Sequence, residues 1–316
     1  MIRTLADLLP ESLGVPAGAQ GLEVTGLALD SRKVKPGDLF AALPGVKVNG
    51  TQFIPMAIEK GAVCVLAPKG TQASVPVIEA EDPAGSLSAI AANFYPRQPA
   101  TIAAVTGTNG KSSTVEFLRQ IWTSAGYEAA ALGTLGVTRA SGRTDVGYTT
   151  PDAIALHQSL DKLTEEGVTH LAMEASSHGL KQRRMDGARL ALVGFTNLTQ
   201  DHLDYHPDFE DYFASKMRLF STLAPMGAPA VINMDSDWSA RVAQAVSNLL
   251  SNAVRYADDG SEVTVRGRVS EAEAVISVAN RGTPIPESLK QKLFQPYQRG
   301  DQTKGEGLGL GLHIAS

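Results

Sequence analysis

Cysteine is almost absent from this sequence of 316 residues, because Cys64 is the single one. One cysteine cannot form an internal disulfide, and its place in the apolar run 62–66 favours a buried thiol. Long apolar runs are also missing: no window reaches the ~18 apolar residues of a membrane span, and Asp7 interrupts the stretch that a signal peptide would need. We therefore expect a protein of the reducing cytoplasm, neither exported nor inserted into a membrane.

The sequence has no excess of basic charge. Its formal net charge is −5, its pI is near 5.7, and it has no stripe of Lys and Arg interleaved with aromatic residues. Nucleic-acid binding needs a positive field, so we expect no nucleic-acid partner. With 43% hydrophobic and 19% charged residues, the composition is that of a soluble globular protein, and the length favours two or three domains.

Apolar runs and turn signals divide the chain into three segments. Residues 1–98 alternate short apolar runs with turns, which predicts a small α/β domain. Residues 99–246 follow a strand–loop–helix pattern and predict a doubly wound parallel sheet. The predicted buried strands of this sheet are residues 101–105, 169–173, 190–198 and 229–233. Residues 247–316 differ in character and run helix, strand, strand and glycine-rich tail.

A glycine loop follows the first strand of the predicted sheet and opens a helix. It consists of Gly107, Thr108, Asn109, Gly110, Lys111 and Ser112, followed by Ser113. Backbone N–H groups, the helix dipole and the charge of Lys111 all favour a phosphate at such a place, and Ser112 is a candidate magnesium ligand. We expect ATP with Mg²⁺. The spacing is shorter than the common phosphate-loop pattern, and a glycine–asparagine turn with a solvated lysine is the alternative.

Acids and histidines follow two of the predicted strands, where an open α/β sheet collects its ligands. Glu174 closes one strand, and His202 follows the other within a run of Asp and His residues. A carboxylate and an imidazole beside a triphosphate can hold magnesium, so both are candidate metal ligands. For His202 by itself, a hydrogen-bonded structural role is the alternative.

Lys216 borders an apolar helix stripe formed by Phe213, Met217 and Phe220. A lysine beside a core needs a partner or a changed charge, so Lys216 is a candidate functional residue. A lysine whose ammonium group snorkels to water is an equally good interpretation.

Several motifs in order resemble the Mur ligases, and among these the MurE type, over roughly residues 1–240. The motifs are Thr-Gly-Thr-Asn-Gly-Lys-Ser at 106–112, Tyr-Thr-Thr-Pro at 148–151, Met-Glu-Ala-Ser-Ser-His-Gly-Leu at 173–180 and Asn-Leu-Thr-Gln-Asp-His-Leu-Asp-Tyr-His at 197–206. The resemblance implies that residues 1–98 hold the uridine diphosphate end of a UDP-MurNAc-dipeptide, with Ser31 as a contact. It also implies that the muramoyl-dipeptide path is lined by Thr149, Thr150, Ser176, Gln182 and Arg184.

The implied chemistry is ATP-dependent ligation of an amino acid, diaminopimelate or lysine, to UDP-MurNAc-L-Ala-D-Glu in peptidoglycan synthesis. Lys111, Glu174, His202 and Lys216 would form the catalytic group, with Lys216 as a metal-binding carbamate. The substrate carboxylate would attack the γ-phosphorus of ATP to give an acyl phosphate, which the amine then displaces.

Residues 247–316 instead resemble the ATP-binding domain of sensor histidine kinases. The residues implied for this second ATP site are Asn248, Asn252, Asn280, Gly282, Gly307, Gly309 and Gly311. We expect an incomplete α/β sandwich here, a fusion of two truncated parents and doubtful ligase activity, because the family's third domain is not recognisable. A non-catalytic protein that holds ATP or the UDP-linked substrate, and an ATP-binding module dominated by the kinase-like segment, are the two alternatives.

Overall fold

The computed structural model describes residues 2–45, 49–144, 150–199, 205–225, 227–233 and 235, together with the backbone of two strands within 264–279. The chain divides into two compact units. The first consists of residues 1–99, 151–168 and 182–188, and the second of residues 100–150, 169–181 and 189–316. None of the helices in the described part of the chain is long and apolar enough to cross a membrane.

The elements are numbered in chain order. The strands are β1 (Arg3–Thr4), β2 (Glu23–Val24), β3 (Gly26–Ala28), β4 (Asp38–Ala41), β5 (Cys64–Pro68), β6 (Val77–Ala80), β7 (Thr101–Thr106), β8 (Ala129–Gly133), β9 (Gly136–Arg139), β10 (Gly142–Thr144), β11 (His170–Glu174), β12 (Leu192–Phe195), β13 (Ala230–Ile232), β14 (Thr264–Ser270) and β15 (Glu273–Ala279). The helices are α1 (Leu5–Leu8), α2 (Ile54–Glu59), α3 (Pro83–Phe94), α4 (Lys111–Ser124), α5 (Ala153–Glu165), α6 (Ser177–Lys181) and α7 (Phe209–Arg218).

The first unit is built on a parallel sheet with the strand order β3-β4-β5-β6. Side chains alternate between its faces: Leu39 and Leu66 join the core under α1 and α3, whereas Phe40 and Val65 join the core under α2. Cys64 is fully buried, and this burial raises the pKa of its thiol to about 12. The predicted α/β character of this part of the chain and the predicted burial of Cys64 are therefore confirmed.

The second unit contains a sheet with the order β10-β9-β8-β11-β7-β12-β13-β15-β14. Strands β8, β11, β7, β12 and β13 are parallel. β11 and β8 lie on one side of β7, and β12 and β13 lie on the other, as in a doubly wound sheet. All four predicted strands are present, although the predicted run 190–198 shortens to Leu192–Phe195. The antiparallel extension through β9 and β10 was not predicted.

In the described part of the third predicted segment, residues 264–270 and 273–279, the strands do not form a sheet of their own. The two expected strands of this segment are present as the antiparallel pair β14 and β15, but β15 pairs antiparallel with β13 and so extends the sheet of the second unit. Without β15, β13 would be an edge strand with unpaired backbone N–H and C=O groups. β15 forms hydrogen bonds with these groups. The structure therefore gives no support to an independent kinase-type domain.

Helix α5 and residues 182–188 belong to the first unit, although they lie within the segment 99–246 of the sequence interpretation. Ala153 at the start of α5 packs in the core beneath α3. Asp161 of α5 accepts hydrogen bonds from the backbone N–H and the guanidinium of Arg97 at 2.8–3.0 Å. Through these contacts α5 packs in the first unit, although the preceding residues 100–150 belong to the second.

Candidate active site

The glycine loop lies between β7, in the middle of the sheet, and the first residue of α4, Lys111. Gly107 and Gly110 have φ values of 145° and 82°, which favour glycine. A Cβ at Gly107 would also collide with Thr196 Oγ1. Two independent constraints, backbone conformation and space, therefore require a glycine at position 107.

The loop takes its shape from the end of the neighbouring strand β12. The Thr108 N–H donates to the Asn197 carbonyl at 2.8 Å, and the Asn109 N–H donates to Asn197 Oδ1 at 2.9 Å. Thr196 Oγ1 in turn donates to the Asn109 carbonyl at 2.6 Å. Thr196 and Asn197 thus fix the loop at the carboxyl end of the sheet, where α/β proteins bind ligands.

Two lysine side chains converge on a single oxygen of this loop. Lys111 Nζ donates to the Gly107 carbonyl at 2.9 Å and to the Thr108 carbonyl at 2.7 Å, and Lys216 Nζ donates to the same Gly107 carbonyl at 2.8 Å. Lys216 is only 1% exposed, so the snorkelling interpretation is wrong. Two ammonium groups so close together repel each other, and a polyanion such as a triphosphate relieves that repulsion.

Glu174 is placed beside the loop by the parallel pairing of β11 with β7, which sets it opposite Val105. Its carboxylate is 2% exposed and accepts a hydrogen bond from Ser112 Oγ at 2.9 Å, as well as from the N–H and Oγ1 of Thr134 at 2.9 and 3.2 Å. The structure therefore joins Ser112 and Glu174, two of the predicted metal ligands.

This donor set fits magnesium. A hydroxyl and a carboxylate are hard oxygen ligands, and a carboxylate can accept about four hydrogen bonds or ligand contacts in all. A small cavity opens beside these oxygens, and a Cβ at Gly133 in its wall would collide with the Glu174 carboxylate. Within the part of the chain that the structure describes, no three His, Cys, Asp or Glu side chains gather into a metal site. The donors joined here are the hydroxyl of Ser112 and the carboxylate of Glu174.

Thr150 and Ser176 lie next to Glu174 in the second unit. Thr150 Oγ1 donates to the Glu174 carbonyl at 3.1 Å and lies 3.0 Å from Ser176 Oγ. Gly179 is packed against Thr150 so closely that a Cβ would approach its Cγ2 to 2.6 Å. The predicted substrate contacts Thr150 and Ser176 are therefore held together with the predicted metal ligand.

The remaining described substrate candidates lie in the first unit. Ser31 is 6% exposed and donates to Met56 Sδ at 3.4 Å. It follows Asp30, whose pKa is lowered to about 2 by its hydrogen bonds with Arg32. Gln182 Oε1 accepts two hydrogen bonds from the Arg184 guanidinium, at 3.1 and 2.6 Å.

Several predicted residues lie outside the described part of the chain. They are Thr149 and His202 of the ligase-like motifs, and Asn248, Asn252, Asn280, Gly282, Gly307, Gly309 and Gly311 of the kinase-like segment. Their proposed roles stay predictions.

The sequence interpretation missed Tyr212 as a functional candidate. Its hydroxyl lies 3.1 Å from Thr108 Oγ1 in the loop, its ring lies 4.4 Å from Lys216 Nζ, and its side chain is fully buried. The available signal was spacing, because a residue four positions before Lys216 shares its helix face. Asn197 opens the motif at 197–206, but that motif does not indicate the contact of Asn197 with the loop.

The glycine loop follows the central strand of a doubly wound sheet. It has Lys and Ser at the start of the next helix and a buried Glu on the neighbouring strand. This arrangement is that of a nucleotide-binding α/β protein of the phosphate-loop class. Two family models match the chain: the Mur ligase middle domain over residues 105–285, and the Mur ligase family catalytic domain over residues 23–95. The chain belongs to the Mur ligase family.

Its relatives include proteins with the name UDP-N-acetylmuramoyl-L-alanyl-D-glutamate--2,6-diaminopimelate ligase. The one from Mesorhizobium japonicum is 48% identical over 84% of this chain and 55% of its own length, and the one from Rhizobium meliloti is 54% identical over 72% and 47%. A solved structure with the same name has a TM-score of 0.67 at 25% identity and covers 89% of this chain and 58% of its own. The chain spans about half the length of the curated relatives it matches.

The comparisons give no support to a kinase domain at 247–316. The Mur ligase middle-domain match continues through residue 285 and so includes the strands β14 and β15. Together with the pairing of β15 to β13, this match assigns the strands to the sheet of the ligase-like unit.

Proposed function

We propose that the chain binds ATP with Mg²⁺ and UDP-MurNAc-L-Ala-D-Glu, and serves the ATP-dependent ligation of diaminopimelate to that substrate in the cytoplasm. The observation that carries the proposal is the contact of Ser112 with buried Glu174 at the foot of a loop bearing Lys111. The names of the relatives favour diaminopimelate over lysine. Residues 1–98 would hold the UDP end of the substrate, and residues 99–246 would hold ATP.

The candidate residues of the site have separate roles in this proposal. The loop N–H groups and Lys111 bind and orient the phosphates, while Ser112 and Glu174 would hold Mg²⁺. Bound magnesium supplies charge withdrawal from the transferring phosphoryl group. Thr150 and Ser176, together with Thr149, would orient the dipeptide next to the nucleotide. His202 would complete the metal ligands.

Lys216 has two competing forms in this site. As an ammonium group it lies beside Lys111 on the same carbonyl oxygen, which is unfavourable for two like charges. Conversion to a carbamate would replace one of these positive charges with a negative one and would add oxygen ligands for magnesium. We expect ¹³C-labelled bicarbonate to give a carbamate NMR signal in the wild type that is lost in Lys216→Arg.

Turnover separates the ligase from a protein that binds without catalysis. Phosphate release is measured with the chain, ATP, Mg²⁺ and UDP-MurNAc-L-Ala-D-Glu, with diaminopimelate, with lysine or with neither. Release that depends on diaminopimelate supports the ligase. Binding of both ligands by calorimetry, with no release above background, supports the non-catalytic alternative instead.

The location of the ATP site separates the ligase-like unit from the kinase-like segment. We expect Lys111→Ala to weaken ATP binding at least about tenfold, because it removes the ammonium group next to the phosphates. Asn252→Ala should leave ATP binding unchanged, as should Lys162→Ala, which removes an exposed lysine of the first unit. The opposite pattern, loss with Asn252→Ala alone, would establish the kinase-like site.

A further inference from the structure

Residues 182–188, termed the strap, are held on the first unit by side chains of other elements. Ser88 Oγ of α3 donates to the Arg184 carbonyl at 3.2 Å and accepts from the Gly187 N–H at 3.1 Å. Gln98 Nε2 donates to the Gly187 carbonyl at 2.9 Å. Ser88 therefore binds the strap at two points, the carbonyl of residue 184 and the N–H of residue 187.

The Ser88 side chain is fully buried. A serine hydroxyl has one donor and two acceptor positions, and Ser88 uses the donor and one acceptor on the strap. His157 Nε2, which is also buried, lies 3.5 Å from Ser88 Oγ on the remaining side. The hydrogen-bonding capacity of this hydroxyl is thus directed at the strap and at α5.

The strap packs closely against α3 and α5 at Gly187. A Cβ at Gly187 would lie 2.6 Å from His157 Nε2 and 2.6 Å from the Ser88 carbonyl oxygen. Arg183 has a φ of 58°, in the left-handed region, and it is held there by ion pairs with Asp82 at 2.9 Å and Asp186 at 3.0 Å. Buried Met185 fixes the middle of the strap. Contacts of residues 183, 185 and 187 with the first unit therefore fix the backbone on both sides of Arg184.

Arg184 presents an organised fork on this fixed backbone. Its Nε and Nη2 both donate to the single side-chain oxygen of Gln182. A guanidinium fork matches the two oxygens of a carboxylate, which accept charge-assisted and therefore stronger hydrogen bonds than a neutral amide does. The Gln182 amide thus occupies the place that a ligand carboxylate would take.

We propose that Ser88 is a positioning residue for substrate binding, because it fixes the strap so that Arg184 offers its fork to a carboxylate of the UDP-linked peptide in exchange for the Gln182 amide. This inference rests on the proposed function and on the expectation, implied by the resemblance, that Gln182 and Arg184 line the path of that peptide. Ser88 does not touch the ligand and acts through the backbone of residues 184 and 187.

Calorimetry on the full chain tests the proposal with two ligands, UDP-MurNAc-L-Ala-D-Glu and ATP with Mg²⁺. Ser88→Ala should weaken binding of the dipeptide ligand at least about tenfold and leave ATP binding within about twofold, because only the strap is released. Ser86→Ala, on the same helix, is the matched control and should change neither. Ser88→Cys fills the site with a slightly larger atom and keeps a weak donor, so it should fold and lose less affinity for the dipeptide ligand than Ser88→Ala does.

Coupling to Arg184 distinguishes positioning from a general structural role. The double variant S88A/R184A should bind the dipeptide ligand no more weakly than R184A does, because Ser88 acts through that side chain. Additive losses, or equal losses for both ligands, would overturn the proposal.

An observation without ligand separates this inference from the proposed function. The NMR signal of Arg184 Nε–H should exchange with water faster in Ser88→Ala and Ser88→Cys than in the wild type or Ser86→Ala. An unchanged signal would overturn the role of Ser88 whatever the protein binds. If the signal changes but R184A binds the dipeptide ligand as tightly as the wild type, then the substrate assignment fails, whereas the positioning of Arg184 by Ser88 stands.

Discussion

Gly107 is the residue at which backbone conformation and side-chain space restrict the site most. We expect Gly107→Ala to lower ATP affinity more than about tenfold, because the new Cβ meets Thr196 Oγ1 and displaces the loop from the end of β12. Nucleotide binding is measured by calorimetry, and stability by thermal unfolding.

Gly142→Ala is the matched control for this substitution. Gly142 has a φ of 139°, close to the 145° of Gly107, but nothing lies within 4 Å of its Cβ position. Both variants should lose about 1–3 kcal/mol of stability through backbone strain. Only Gly107→Ala should lose ATP affinity, and an equal loss in Gly142→Ala would remove the collision as the cause.

At the residue scale, the sequence predicts those site residues that stand at strand ends or helix starts. Lys111, Ser112 and Glu174 could be found in this way, because parallel strands bring their carboxyl ends to one edge of the sheet. Tyr212 and Asn197 received no role from the sequence, although Tyr212 lies four positions before Lys216 and Asn197 opens the motif 197–206, because their contacts with the loop depend on the tertiary approach of α7 and the end of β12. Ser88 is a small polar residue on an apolar helix face, and the sequence alone gives no reason to connect it with residue 184.

At the scale of elements, Asp161 ties α5 to the chain that follows α3. Its carboxylate is 7% exposed at the side chain, whereas Glu165, which also pairs with Arg97, is 64% exposed. We expect Asp161→Asn to destabilise the protein by about 1–2 kcal/mol near pH 7, a moderate value because the Arg97 side chain is itself half exposed. Glu165→Gln is the control, and its effect should be close to zero.

The effect of Asp161→Asn should depend on pH in a defined direction. Hydrogen bonds from Arg97 hold the pKa of Asp161 below its ordinary value. The stabilisation is therefore present above the unfolded-state pKa of about 3.9 and is lost as pH falls through the lower folded-state pKa. Urea unfolding between about pH 5 and pH 3 should show the wild type and the variant converging. A constant difference across this range would contradict the ion pair as the source.

The strands and helices that the sequence predicts well are those with strong periodicity. Strand β7 and helix α4 follow from their apolar patterns, as do the other central parallel strands. The antiparallel strands β9, β10 and β15 extend the sheet at its ends, and their partners are chosen by tertiary pairing rather than by local pattern. The return of α5 to the first unit depends in the same way on distant partners, Arg97 among them.

At the scale of the whole molecule, each of the two ligands should protect segments that the other leaves unprotected. ATP with Mg²⁺ at a hundred times its dissociation constant stabilises the binding-competent state by about 2.7 kcal/mol. In hydrogen exchange, this should slow residues 107–112 and 196–199 in the second unit. UDP-MurNAc-L-Ala-D-Glu should slow the strap in the first unit. Residues 173–177 contain both Glu174 and Ser176, so either ligand should slow them. Slowing of the strap by ATP, or of residues 107–112 by the dipeptide ligand alone, would contradict the separate assignments.

The first unit consists of three separated stretches of chain, and the strap is the last of them. A ribosome delivers the chain from its N-terminus, so residues 100–150 and 169–181 emerge before the strap does. Until residue 188 has left the exit tunnel, Ser88 and His157 have no strap to bind and the first unit cannot be complete. The position of the strap therefore constrains folding during synthesis: the first unit can be completed only after residues 100–150 and 169–181 of the second unit have been made.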